Sequence, residues 1–264
     1  MENKNISQLV ASLMIERLTF IHEKPQVIAC LNDQSAELVA LLKPLYPKAL
    51  ILPLSLQTQS TFGQFSWARR LINLLNKKNR HDQNNHQQRN YDWLISNLGL
   101  SSANISLDEL LKLAHERLNE QGTLCFSFIG LESFRSLYAY FSRTLNEKDI
   151  PTYQLDLHRV GDRMLQFGFV EPVISTESLQ LIYRRSSTLL NDLQQLKILP
   201  RLLTWLSIDQ LTFISMVERL LGMDRTLSIN YEFVFACALC DRRFSNPTKA
   251  SKEIKFYPRQ QRSV

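Results

Sequence analysis

Residues 26–54, QVIACLNDQSAELVALLKPLYPKALILPL, decide the fold. Gln26 to Cys30 is a short apolar strand, Ser35 to Leu45 repeats apolar residues at helical spacing, and Ala49 to Leu54 is a second apolar strand. That order predicts a β-α-β unit, and with it a parallel pair inside an α/β sheet. Units of this kind that bind nucleotides carry a glycine-rich turn after the first strand, because only glycine lets the backbone approach the ligand. Here the turn reads Leu31-Asn32-Asp33-Gln34-Ser35, and no glycine precedes Gly63.

Outward from this unit the alternation continues. Residues 6–21 read as an amphipathic helix, with Ile6, Leu9, Val10, Leu13, Met14 and Leu18 at helical spacing. A helical pattern spans Phe65 to Leu75. The run 76–90, NKKNRHDQNNHQQRN, has no apolar side chain and reads as a solvated insert, because it can bury nothing. Tyr91 to Ser96 is a third strand. Ser106-x-x-Glu109 is a capping box that opens a helix with Leu107, Leu110, Leu111, Ala114 and Leu118 on its apolar face. Asn119 to Gly122 ends that helix, and Thr123 to Phe128 is a fourth strand. Leu131 to Leu145 and His158 to Phe167 read as helices, the second stopped by Gly168. Leu179 to Tyr183 is a strand, Ser187 to Leu196 and Ile208 to Leu221 are helices, and Ser228 to Leu239 is a long final strand. Strands alternating with helices predict a largely parallel sheet covered on both faces, with the late strand in an antiparallel edge pair.

Composition narrows the class. Seven glycines in 264 residues fall well below the usual ~7%. Of the net charge of +6, five units lie in residues 241–264, so the basic character belongs to a tail. Such a tail can bind nucleic acid, a membrane or an acidic protein, and reads more simply as a solvated terminus. Four cysteines are too few for a disulfide framework in a chain this long. Cys30 and Cys125 lie in apolar strands and read as small buried hydrophobes. Cys237 and Cys240 form a lone C-x-x-C with no second ligand pair, and a strand would put them on opposite faces, which argues against zinc. His81 and His86 sit five residues apart in the polar insert, a spacing in a solvated loop that argues against a metal site. No segment reaches the roughly 20 apolar residues of a membrane span, and a cytoplasmic protein is expected.

From Tyr91 onward the sequence resembles a known family. Tyr91-Asp92-Trp93-Leu94-Ile95-Ser96-Asn97-Leu98 is similar to the YDLVxSNLALQW strand of the class I S-adenosylmethionine-dependent methyltransferases that methylate malonyl-acyl carrier protein in biotin synthesis. Phe126-Ser127-Phe128-Ile129-Gly130 with Phe134-Arg135-Ser136-Leu137 follows that family's FSTLGPDTLREL. Leu157 to Asp162 and Gly168 to Val173 follow MHDLGDxLxxAGFxDPVMD. Leu179-x-Leu181-x-Tyr183, Leu190-x-Asp192-Leu193 and Tyr231 to Phe235 follow in order. Related mitochondrial complex I assembly factors share these motifs, so the resemblance implies a family without choosing the substrate.

The resemblance implies a Rossmann-like class I methyltransferase fold. Its mostly parallel sheet would have seven strands, with helical cap insertions at about 130–165 and 187–222. A single domain would span 1–240, followed by the tail 241–264. The cofactor implied for an active protein is S-adenosylmethionine. The family's acid and G-x-G-x-G fall on Ala29, Leu31, Asp33 and Ser35, and its ribose-binding Asp falls on Pro53. Leu31 would intrude on the ligand, Asp33 would face the methionine carboxylate, and each lost ribose bond would forfeit about 1.5–3 kcal/mol. Asn32, Asp33, Ser55 and Asn97 are the polar groups nearest the implied pocket. Arg135, His158 and Arg159 are candidate contacts for an anionic substrate, since guanidinium pairs with carboxylate. Arg135 alone reads more readily as a solvated helix residue, and His158 equally as a capping or packing one.

Three functions remain open. The chain is a methyltransferase relative with a degenerate cofactor site and impaired catalysis, binding an acyl carrier protein or an active paralogue and needing no cofactor. Or it is an active O-methyltransferase on malonyl-acyl carrier protein. Or it binds nucleic acid, which the lack of interleaved aromatic and basic residues disfavours.

Overall fold

The structure is a computed structural model that describes residues 6–31, 36–54, 91–102, 105–145 and 155–241. Strand β1 (Val27–Leu31) runs parallel between β2 (Leu50–Leu54) and β3 (Tyr91–Ser96), with Ile28 opposite Ile51 on one side and Trp93 on the other. Strand β4 (Leu118–Ile129) adds in parallel beyond β3. Strand β6 (Leu227–Cys240) then inserts antiparallel to β4, and β5 (Phe169–Tyr183) closes that edge antiparallel to β6. The order is β2-β1-β3-β4-β6-β5. This is the expected Rossmann-like, mostly parallel α/β sheet with an antiparallel pair at one edge. It holds six strands, rather than seven, among the described residues.

Helices cover both faces. On one lie α1 (Ile6–Leu18), α2 (Glu37–Leu45), α5 (Arg135–Leu145), α7 (Ser186–Gln195), α8 (Leu199–Leu206) and α9 (Gln210–Asp224). On the other lie α3 (Gly99–Ser102), α4 (Leu107–Arg117) and α6 (Leu157–Gln166). Helix α1 docks because Ile6, Val10, Met14 and Leu18 recur every four residues and form one buried stripe. In α4 the capping box closes as read: Glu109 N donates to Ser106 Oγ at 3.2 Å, and Ser106 N donates to Glu109 Oε2 at 2.7 Å. Helix α6 starts at Asp156, whose carboxylate accepts from His158 N, and the chain turns at Gly168 with φ of 83°. Of the two segments expected to form a cap, 130–165 divides between the faces, α5 on one and α6 on the other, while α7, α8 and α9 join α5. No helix among the described residues is long and apolar enough to cross a membrane.

Several boundaries differ from expectation. Strand β4 starts at Leu118 directly after α4, not at Thr123, because residues 119–122 form an irregular lead-in whose register with β3 shifts before Thr123 meets Trp93. Gly122 is required there, since a Cβ would come within 2.9 Å of Asn119 O and 3.0 Å of Asp92 O. Strand β5 begins ten residues before Leu179. As an edge strand it tolerates Pro172 and a register shift between Val170 and Val173. Helix α8 lies within the expected cap segment 187–222 but between the two individual helices read there. Pro200 in its first turn is placed where a missing N–H is harmless.

The cysteines also differ. Cys125 on β4 and Cys237 on β6 are register partners with Cα atoms 4.2 Å apart, and they are joined as a disulfide. Neither acts only as a buried hydrophobe. Their sequence separation of 112 residues hides a pairing that the insertion of β6 beside β4 creates. Cys240 is buried on the other face of the sheet from Cys237, as strand alternation requires.

Candidate functional site

Open α/β sheets bind ligands outside the carboxyl ends of their parallel strands. Here that edge is formed by the ends of β1, β2, β3 and β4. The first two strands end in apolar groups. Leu31, the last residue of β1, is 1% exposed and packs in the core cluster on the α4 and α6 side. It therefore does not stand in a ligand space, as the sequence suggests, but is used for folding. Beside it β2 ends in Pro53 and Leu54, and Pro53 is the register partner of Cys30. Proline fits because β2 is an edge strand among the described residues and needs no ladder donor on its outer side. Neither strand end carries a carboxylate.

The ends of β3 and β4 are different. Ser127 interrupts the apolar run of β4 and is fully buried. Its Oγ accepts from Leu98 N at 2.9 Å and donates to Asn97 Oδ1 at 2.8 Å. Leu98 has a φ of 55°, a left-handed backbone that a branched residue adopts only under local constraint. That turn aims its N–H back at Ser127. Next to Asn97, the Ser96 hydroxyl is buried and has no hydrogen-bond partner among the described residues.

The implied cofactor residues divide on this edge. Asn97 is half-buried at the end of β3 and hydrogen-bonded as above. Asn32, Asp33 and Ser55 lie outside the described residues, as do the helical pattern 65–75, the insert 76–90 with its two histidines, and residues 242–264 of the tail. The candidate substrate contacts reach the same edge from opposite faces. Arg135 opens α5, is well exposed and forms an ion pair with Glu132. Phe134 N, just before it, donates to Asn230 O at 3.0 Å, which fixes α5 against β6. His158 and Arg159 lie in the first turn of α6, exposed, and the bridge of Gly130 to Leu155 brings that turn beside the end of β4. The Glu232 side chain lies against Gly130, and its Oε2 accepts from Glu132 N at 3.1 Å. This rim thus carries carboxylates as well as cations. No group of three or more His, Cys, Asp or Glu among the described residues could hold a metal.

A second polar cluster, which the sequence reading quotes without linking, lies inside the core. Tyr183 Oη at the end of β5 donates to Asp192 Oδ2 of α7 at 2.8 Å and is 2.6 Å from Tyr231 Oη of β6. Burial pushes both phenols up and keeps them protonated. It also raises the Asp192 carboxyl, against the opposing pull of the Tyr183 hydrogen bond. The cluster locks α7 to the antiparallel edge. Polar residues in otherwise apolar runs, Ser96, Ser127 and Tyr183, are the signal that could have marked both clusters.

No protein-family model matches the chain. Its curated relatives are malonyl-[acyl-carrier protein] O-methyltransferases. The Coxiella burnetii protein, number 1 of that name, is 26% identical over 194 residues, covering 72% of this chain and 64% of its own length. The Gallionella capsiferriformans protein is 32% identical over 103 residues, covering 39% of this chain and 35% of its own length. The chain therefore spans less than two thirds of the length of either. Among solved structures, it is similar to the Haemonchus contortus phosphoethanolamine N-methyltransferase 2 in complex with S-adenosyl-L-methionine, at 13% identity and a TM-score of 0.46. That match covers 88% of this chain and 52% of the other. It is also similar to the YcgJ protein of Bacillus subtilis, at 9% identity and a TM-score of 0.49, covering 89% of this chain and 99% of the other.

Proposed function

We propose that this chain is a carrier-protein methyltransferase relative that keeps the substrate half of the site and has rebuilt the cofactor half, leaving it catalytically impaired. One observation carries the proposal: the ends of β1 and β2 are apolar, with Leu31 used in the core and Pro53 where a ribose-binding acid is implied. The described residues do not fit S-adenosylmethionine in the way the resemblance implies. Among the described residues, the polar groups of the edge are those at the ends of β3 and β4, where a substrate would approach.

The proposed partner is an acyl carrier protein bearing a malonyl-type group, or an active paralogue that acts on one. Two things support the first: the names of the relatives, and the exposed His158 and Arg159 at the end of β4. The relatives' names also favour a second reading, an active O-methyltransferase on malonyl-acyl carrier protein, for which the resemblance implies S-adenosylmethionine and a place in biotin synthesis.

Calorimetric titration of the full chain with S-adenosylmethionine separates the two. The expected result is no heat up to millimolar ligand and no methyl ester on malonyl-acyl carrier protein by mass spectrometry. Micromolar binding with ester formation overturns the impaired reading and establishes the second.

A further inference from the structure

The hydrogen bonds at the end of β3 decide which atom of Asn97 faces outward. Leu98 N–H can only donate, and it donates to Ser127 Oγ. The Ser127 hydroxyl hydrogen then needs an acceptor, because an unpaired donor on a fully buried side chain is costly. Among the described residues the side chain of Asn97, at 2.8 Å, is its one recorded acceptor. The atom it meets must therefore be the carbonyl Oδ1. The orientation of the amide is set by this chain of donors rather than by local freedom.

With Oδ1 engaged, the Nδ2 group is what remains. It offers two N–H donors and no acceptor, and nothing among the described residues accepts from it. It sits half-buried at the carboxyl edge, where a parallel sheet places its ligand.

We propose that Asn97 is a specificity-determining residue that donates through Nδ2 to a carboxylate oxygen of the ligand, and that Ser127, with Leu98 N–H, is the positioning device that holds the amide in that sense. The site then accepts an acidic acyl group and rejects an ammonium of the same size, which would bring donors against donors. A site built on hydrogen bonds discriminates strongly against the mismatched partner, because the wrong ligand leaves buried polar groups unpaired. The inference rests on the substrate half of the function proposed above, and it names the group which that half reads. A carboxylate has two possible sources here, an acidic acyl thioester and the amino-acid end of an adenosyl cofactor.

The test uses the full chain with its side-chain amides labelled with nitrogen-15. The probes are malonyl-pantetheine, β-alanyl-pantetheine, S-adenosylhomocysteine and methylthioadenosine, which lacks the amino-acid end. The expected result is that malonyl-pantetheine binds and shifts the Asn97 Nδ2 resonance, while β-alanyl-pantetheine binds at least tenfold more weakly. Asn97→Asp keeps the acceptor for Ser127 but turns the outward group into an acceptor. It should weaken malonyl-pantetheine at least tenfold and narrow or reverse the preference over the amine.

Should Asn97→Asp instead weaken S-adenosylhomocysteine and spare methylthioadenosine, the carboxylate read is the cofactor's, and the donor role still stands. Equal binding of the acidic and amino thioesters, an unmoved Asn97 resonance, or wild-type protein that binds neither carboxylate probe overturns the inference. Because Asn97→Ala also removes the Ser127 acceptor, thermal unfolding of both variants separates loss of fold from loss of recognition. Methyl transfer is not read in this experiment. An Asn97-dependent carboxylate site without any reaction upholds the inference while leaving activity to the calorimetric test above.

Discussion

The two halves of the sheet's carboxyl edge have diverged in kind. At β1 and β2, positions that a nucleotide-binding unit reserves for backbone and acid hold side chains that serve the fold: Leu31 in the core and Pro53 on an outer strand. At β3 and β4, polar residues interrupt apolar runs, and Ser127 accepts from Leu98 N–H and donates to Asn97 Oδ1 in a fixed arrangement. Buried polar groups cost free energy unless paired, so a paired set at a strand end points to use, whereas a leucine in the core points to stability. On the function proposed above, the contrast separates a half under folding constraint from a half available for recognition.

The most severe test of this contrast is to restore the glycine. If Leu31 is structural, Leu31→Gly removes a buried branched side chain and adds backbone freedom, at a cost of about 3–5 kcal/mol in denaturant unfolding. A loss below about 1 kcal/mol would show that the position is not core and would dissolve the contrast.

A smaller effect is expected on the other half. Ser127→Ala leaves the Leu98 N–H without its acceptor and frees the Asn97 amide, which should cost about 1–3 kcal/mol. Amide exchange at Leu98 should also rise by more than exchange along β4 rises. Uniform exchange changes along β4 would mean that Ser127 fills space and positions nothing.

The smallest effect concerns the support behind the recognition half. Asp192 has a folded-state carboxyl raised above its ordinary value, chiefly by burial. Below the unfolded value of about 4 both states are protonated and nothing is lost. As pH rises through the raised folded value, the folded state must ionise a half-buried acid, so stability falls over that interval. Asp192→Asn should flatten this decline in urea midpoints measured from pH 3 to pH 7. A variant with the same slope as the parent would remove Asp192 from the account.

Legibility followed the range of the interactions. The β-α-β opening, the capping box at Ser106 and Glu109, the stop at Gly168 and the buried stripe of α1 all rest on residues within a few positions of one another, and each stands as expected. The sequence shows only the last part of strand β5, because an edge strand with Pro172 and a register shift does not alternate cleanly. The start of β4 was misplaced because residues 119–122 pair irregularly. Helix α8 escaped because its cover of the core comes from contacts across the chain. Asn97 could be named from a motif, but its hydrogen-bond sense could not.

Sequence alone settled the class of the fold, since strand and helix periods are local properties of the chain. It also settled the loss of the glycine turn, which is a matter of composition. Tertiary structure alone decided that Leu31 faces the core, that Cys125 meets Cys237, and that Ser127 engages Asn97 Oδ1. In the last two cases the partners are 112 and 30 residues apart, and only the lateral order of strands brings them together. In the first, a strand presents alternate side chains to opposite faces, and it is the helices packed on each face that decide which of them is buried.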